Sequence, residues 1–139
     1  MSLTKLSGKL SGNMAFEMDL NGHKLITDGA PEIGGQGLGY RPKTLLLAGL
    51  IGCTGIDVMM ITRKMQIEFE DVNIEVETDT TEEDPKVYKY IKMVYRFKGK
   101  NLPFDKIKRA VDLSMEKYCG VSAMLSKAAP ITYEILIEE

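Results

Sequence analysis

Two thiols, Cys53 and Cys119, lie 66 positions apart in this 139-residue sequence, and they are its clearest candidates for chemistry. A cysteine attacks as the thiolate, and a free thiol titrates near ~8.5, so a reactive one needs a cation or a helix N-terminus beside it. The helix that carries Cys53 starts at Pro42. At about 1.5 Å per residue the sulfur lies roughly 16 Å along that helix, while the dipole acts only within the first turn. Asp57, one turn further on the same face, would oppose ionisation. A positive side chain is therefore required. Without one, both cysteines read as small buried apolar residues.

The other chemistry-bearing patterns are weaker. His23 is the one histidine, it follows a hairpin turn, and no metal site can be assembled around it. The glycine-rich run Gly34 to Gly39 lacks the Gly-Lys-Ser/Thr of a phosphate loop, because Tyr40-Arg41-Pro42 intervenes before Lys43-Thr44. It reads as a flexible loop bordering the active site. Lys106, Lys108 and Arg109 fall in a helical pattern and read as a solvated face. Met59, Met60, Met65, Met115 and Met124 fit pliable packing at helical core positions.

The elements that must position the thiols follow from periodicity. Met14, Phe16, Met18 and Leu20 alternate with polar residues, Asn21-Gly22 signals a two-residue turn, and His23 to Thr27 returns. The first 27 residues are an antiparallel meander. Asp28 to Tyr40, with five glycines and no periodicity, form a long loop. From Pro42 to about Met65 a helix is predicted, apolar on nearly every face and so buried on all sides. Gly49, Gly52 and Gly55 each cost that helix about 1 kcal/mol, which close approach of another helix or strand would explain. Val72 to Thr78 and Lys86 to Lys98 form a β-hairpin. Pro103 opens a second helix with Phe104, Ile107, Val111, Ser114 and Tyr118 on one stripe, closed by Cys119-Gly120. A short helix, Val121 to Lys127, and a strand, Ile131 to Ile137, complete a single α+β domain over residues 1–139.

Composition excludes some functions. The net charge is −2 and the pI about 5.5, which gives no basic face for nucleic acid. The most apolar run, Leu45 to Ile61, has 17 residues including Asp57, short of the ~20 of a membrane span. The N-terminus has no secretory h-region. A soluble cytoplasmic protein with reduced thiols is the expectation.

PKTLLLAGLIGCTGIDVMMI (Pro42 to Ile61) and RAVDLSMEKYCGVSAML (Arg109 to Leu125) resemble the two signature segments of the OsmC/Ohr family, and the order of elements resembles it along the whole chain. The resemblance implies a thiol-dependent peroxidase that reduces organic hydroperoxides. Cys53 would attack the peroxide and become a sulfenic acid, and Cys119 would condense with it to a disulfide. An external dithiol, such as a dihydrolipoyl group, would reopen that disulfide, with no bound cofactor. The resemblance also implies an intertwined homodimer in which the three glycines let central helices pack closely. Cys119 follows a helix C-terminus, whose negative end suits a resolving thiol better than an attacking one.

The family supplies its cation from an N-terminal arginine held by a glutamate early in the central helix. Here Thr44 stands in the glutamate position and no arginine precedes Arg41. Arg41 is the candidate thiolate partner, and Glu32 the candidate that orients it. The same departure motivates an alternative: a protein of this shape that binds a small molecule without peroxidase turnover.

Overall fold

The computed structural model describes residues 3–139; Met1 and Ser2, which open the expected meander, lie outside the described residues. The fold is α+β as expected, and its contacts cluster into two compact units, Met1–Leu47 and Ala48–Glu139.

In the first unit, β1 (Gly8–Leu10), β2 (Phe16–Leu20) and β3 (His23–Thr27) form an antiparallel sheet in that order. Strand β2 starts two residues later than the alternation suggests. Asn21 (φ 51°) and Gly22 (φ 85°) make the turn, both in the left-handed region that a two-residue hairpin favours. The loop that follows is wound around a carboxylate. Asp28, 2% exposed, accepts N–H groups from Gly29, Gln36 and Leu38 at 2.8, 2.9 and 3.1 Å. Gln36 and Leu38 are the main reason its carboxyl is held below the usual range. A Cβ at Gly35 would stand 1.7 Å from the Gly29 carbonyl oxygen, so only glycine fits there. The loop expected to be flexible thus has a defined internal scaffold and a 3-10 turn at Pro31–Ile33.

Helix α1 runs from Pro42 to Lys64. In the second unit, β4 (Asp71–Thr80) and β5 (Tyr88–Lys98) form the antiparallel hairpin, and β6 (Ile131–Glu138) lies parallel to β5. Ile91, Met93, Tyr95 and Phe97 alternate along β5 and are essentially inaccessible, the pattern of a central strand with one covered face. Helix α2 (Phe104–Leu113) buries Ile107, Ala110 and Val111. A π turn, Ser114–Tyr118, leads to the short α3, Gly120–Leu125.

Three expectations change. Helix α1 is not buried on all sides: Leu50, Thr54, Val58 and Thr62 are its buried residues. They recur every four positions, one face of a helix, while Ile56 and Met60 are 63% and 56% exposed. Among the described residues, nothing lies within 4 Å of a Cβ added at Gly49 or Gly52, so close packing inside the chain does not explain those two glycines. The methionines are not uniformly core, since Met124 is also 66% exposed. Finally, Gly120 does not end the second helix. Cys119 does, with extended backbone (ψ 104°), and Gly120 begins α3. By length and composition alone α1 could cross a membrane. Its buried Thr54, however, hydrogen-bonds to Tyr95 and Ser114 of other elements, so that face of α1 packs against the rest of the second unit.

Candidate functional site

The second unit brings Cys53, Asp57 and Cys119 together. Their two sulfurs and a carboxylate oxygen all lie within 4.8 Å of one another. Cys53 and Asp57 are four residues apart on α1, one turn on one face. Cys119 reaches them from the extended break between the π turn and α3. Its Sγ accepts the Ser122 N–H at 3.3 Å, so the sulfur caps α3. That location differs from the bare helix C-terminus expected from the sequence, because the chain turns into a new helix at once.

The two thiols differ in access. Cys53 is half-buried, whereas Cys119 is 3% exposed. Burial chiefly pushes the Cys119 thiol up to about 11, against the Ser122 N–H; proximity to Cys53 and Asp57 adds to the rise. At neutral pH Cys119 is therefore a thiol and not a thiolate. The accessible sulfur and the protonated one are neighbours.

A chain of hydroxyls supports the carboxylate. Tyr95 Oη and Thr54 Oγ1 are 2.7 Å apart, Thr54 Oγ1 and Ser114 Oγ 2.8 Å, and Ser114 Oγ donates to Asp57 Oδ2 at 2.9 Å. Thr54, Tyr95 and Ser114 are fully buried, so each hydroxyl depends on the others for its partners. Burial pushes the Tyr95 phenol up to about 12. Beside the site, a cavity of about 400 Å³ is lined by Asp57, Met60, Ile61, Lys64, Leu113 and Tyr118. Its walls are mostly apolar, with one carboxylate and one ammonium.

Arg41 and Glu32 belong to the first unit. Arg41 Nη1 donates to Gly39 O at 3.5 Å, and Glu32 lies in the 3-10 turn. The Arg41 charge helps to hold the Asp28 carboxyl down. Thr44 uses its hydroxyl on the Arg41 carbonyl at 2.7 Å. His23 is exposed, as are Lys106, Lys108 and Arg109.

The sequence reading missed the hydroxyl chain and the place of Asp57 in it. The available signal was Thr54 and Asp57 standing in an otherwise apolar stretch, since a polar residue there must find a buried partner. Nothing in the local text of Tyr95 or Ser114 marked them as those partners.

A family profile described as "OsmC-like protein" matches residues 35–134. Protein YhfA of Escherichia coli K12 is 35% identical over 118 residues, covering 84% of this chain and 85% of that protein. The crystal structure of a hypothetical protein from Aquifex aeolicus VF5 superposes over 100% of both chains, with a TM-score of 0.84 and 30% identity. The organic hydroperoxide resistance protein OhrB of Bacillus subtilis shares the fold at a TM-score of 0.66 and 20% identity, over 94% of this chain and 96% of that one.

Proposed function

Because the chain belongs to the OsmC-like protein family, we propose that it reduces organic hydroperoxides by cysteine chemistry. Cys53, as the thiolate, attacks the distal peroxide oxygen. The O–O bond breaks, the alcohol departs with a proton, and Cys53 is left as a sulfenic acid. Cys119 then attacks that sulfur, water leaves, and a Cys53–Cys119 disulfide forms. An external dithiol reduces the disulfide to complete the cycle. The observation that carries this reading is the pair of sulfurs within 4.8 Å, one accessible and one buried. A resolving thiol needs to be close, and it is best kept protonated until the sulfenic acid forms. The apolar cavity suits the organic part of a hydroperoxide, and the B. subtilis structure of the same fold is that of an organic hydroperoxide resistance protein.

Two further parts belong to the same proposal. Arg41 supplies the positive charge for the Cys53 thiolate. The exposed apolar face of α1, with Ile56, Met60 and the open Gly52, is covered by a second copy of the chain, in the reducing cytoplasm. A face of this kind is otherwise an aggregation liability.

The test is steady-state consumption of tert-butyl hydroperoxide with a dithiol reductant, dihydrolipoamide or dithiothreitol. Turnover in the wild-type chain and none above background in Cys53→Ser is the expected result; equal rates in the two would overturn the reading. Thr44, standing where the family's glutamate does, favours a second reading, a small-molecule binder of this fold without turnover. Absence of turnover together with saturable binding of an apolar ligand in the cavity would support it.

A further inference from the structure

We propose that the reduced site also binds one thiophilic divalent metal ion, zinc(II) in the first place, through Cys53 Sγ, Cys119 Sγ and a carboxylate oxygen of Asp57. The inference concerns the same residues as the peroxidase reading, but metal binding itself does not depend on that reading; only its consequence, a blocked redox site, does.

Three donors of the right kind converge, two sulfurs and a carboxylate oxygen, all within 4.8 Å of one another. In a tetrahedral zinc site, with Zn–S ~2.3 Å and Zn–O ~2.0–2.2 Å, neighbouring donors stand roughly 3.5–3.8 Å apart. The three groups need to draw in by only about an ångström, within the reach of side-chain torsions. Cys53 and Asp57 present donors from one helix turn, the i, i+4 arrangement by which a helix offers two ligands to a metal on one face. Outer contacts are already in place. Ser114 holds Asp57 Oδ2 and is itself fixed by Thr54, while the Ser122 N–H points at Cys119 Sγ. Such partners orient ligands and tune a metal site. Cys53 is only half-buried, and the 400 Å³ cavity borders the third donor, Asp57, so water or a small ligand can supply the fourth position, as in three-ligand zinc sites.

The step is a proton exchange with no redox change. Two thiols lose their protons to solvent, the carboxylate donates an oxygen, and the metal sheds waters. With both sulfurs bound to the metal, neither attacks peroxide. The ion would thus protect the thiols and switch turnover off until it is withdrawn.

The experiment uses the reduced full-length chain and cobalt(II) as the spectroscopic probe. One equivalent per chain should give thiolate-to-cobalt charge-transfer absorption with tetrahedral ligand-field bands, displaced by zinc(II). The charge-transfer band should vanish in Cys53→Ser and in Cys119→Ser. In Asp57→Asn affinity should fall at least ~10-fold, no less than for loss of an outer-shell partner. X-ray absorption on the zinc-loaded wild-type chain should count two sulfurs and one or two oxygens, which decides the matter even if a variant fails to fold. No charge-transfer band at one equivalent, a band surviving in either serine variant, unchanged affinity in Asp57→Asn, or a sulfur-free zinc shell would each overturn the proposal. A chain that binds the metal yet never turns over peroxide would refute the peroxidase reading alone. An active chain that binds none would refute this proposal alone.

Discussion

Ser114 Oγ donates to Asp57 Oδ2 at 2.9 Å, and the same hydroxyl oxygen stands 2.8 Å from Thr54 Oγ1, which in turn stands 2.7 Å from the Tyr95 phenol. Thr54 is the middle of this chain. Replacing it with valine keeps the shape but strips Tyr95 and Ser114 of a partner in a place water does not reach. An unsatisfied buried group costs about 1–3 kcal/mol, so Thr54→Val should lose roughly 2–4 kcal/mol in urea unfolding. Tyr95→Phe leaves Thr54 still bonded to Ser114 and should lose about 1 kcal/mol. A valine variant no less stable than the phenylalanine one would show that the hydroxyls do not act as a chain.

The buried protons set how stability responds to alkali. Folding raises the Cys119 thiol from 9.0 to about 11 and the Tyr95 phenol from 10.0 to about 12. The unfolded chain therefore gives up these protons first as pH rises. Stability is whole below about pH 9 and falls through pH 11 to 12. Urea midpoints of the reduced chain should drop steadily above pH 9, with a shallower slope in Cys119→Ala. A midpoint flat from pH 9 to 11 would contradict the burial argument.

Much of this arrangement was legible in the sequence. Alternation in β2, β4 and β5, the Asn21-Gly22 turn and the proline-started helices are local signals, each backed by its own backbone physics, and all appear in the structure. The closeness of Cys53 and Asp57 follows from their one-turn spacing on a helix, whereas the approach of Cys119 to them is a tertiary fact, and only the resemblance to a family pointed toward the pairing of the two thiols. Two expectations fail within the single chain for one cause. A helix rich in Leu, Ile, Met and Gly is expected to be buried on every face and the methionines to be core, but Ile56, Met60 and Met124 are exposed. Composition reports how much apolar surface exists, but not whether the same chain covers it.

That uncovered surface makes a prediction about assembly. Ile56 and Met60 are 63% and 56% exposed, one turn apart on α1. If a second copy covers them, sedimentation equilibrium should give twice the 15.5 kDa chain mass at micromolar concentration. Ile56→Glu with Met60→Glu should give a single-chain mass, because burying two unpaired carboxylates is prohibitive. A wild-type chain that stays monomeric would remove the dimer from the account.

The charge assigned to Arg41 has its own test. One unit of thiol pKa changes the thiolate fraction about tenfold in the range where it is small. Arg41→Ala should therefore slow hydroperoxide reduction about tenfold or more in kcat/KM. Arg41 is exposed, so the unfolding midpoint should barely move. An unchanged rate would mean that another cation serves Cys53, or that none is needed.

The most direct measurement is a thiol count on the reduced wild-type chain after one equivalent of organic hydroperoxide, with the cross-linked peptides identified by mass. Both thiols should disappear together, the peptides containing Cys53 and Cys119 should be joined, and a dithiol should restore both. Two thiols still free after the peroxide is added, or a Cys53 oxidised with no link to Cys119, would contradict the two-cysteine cycle.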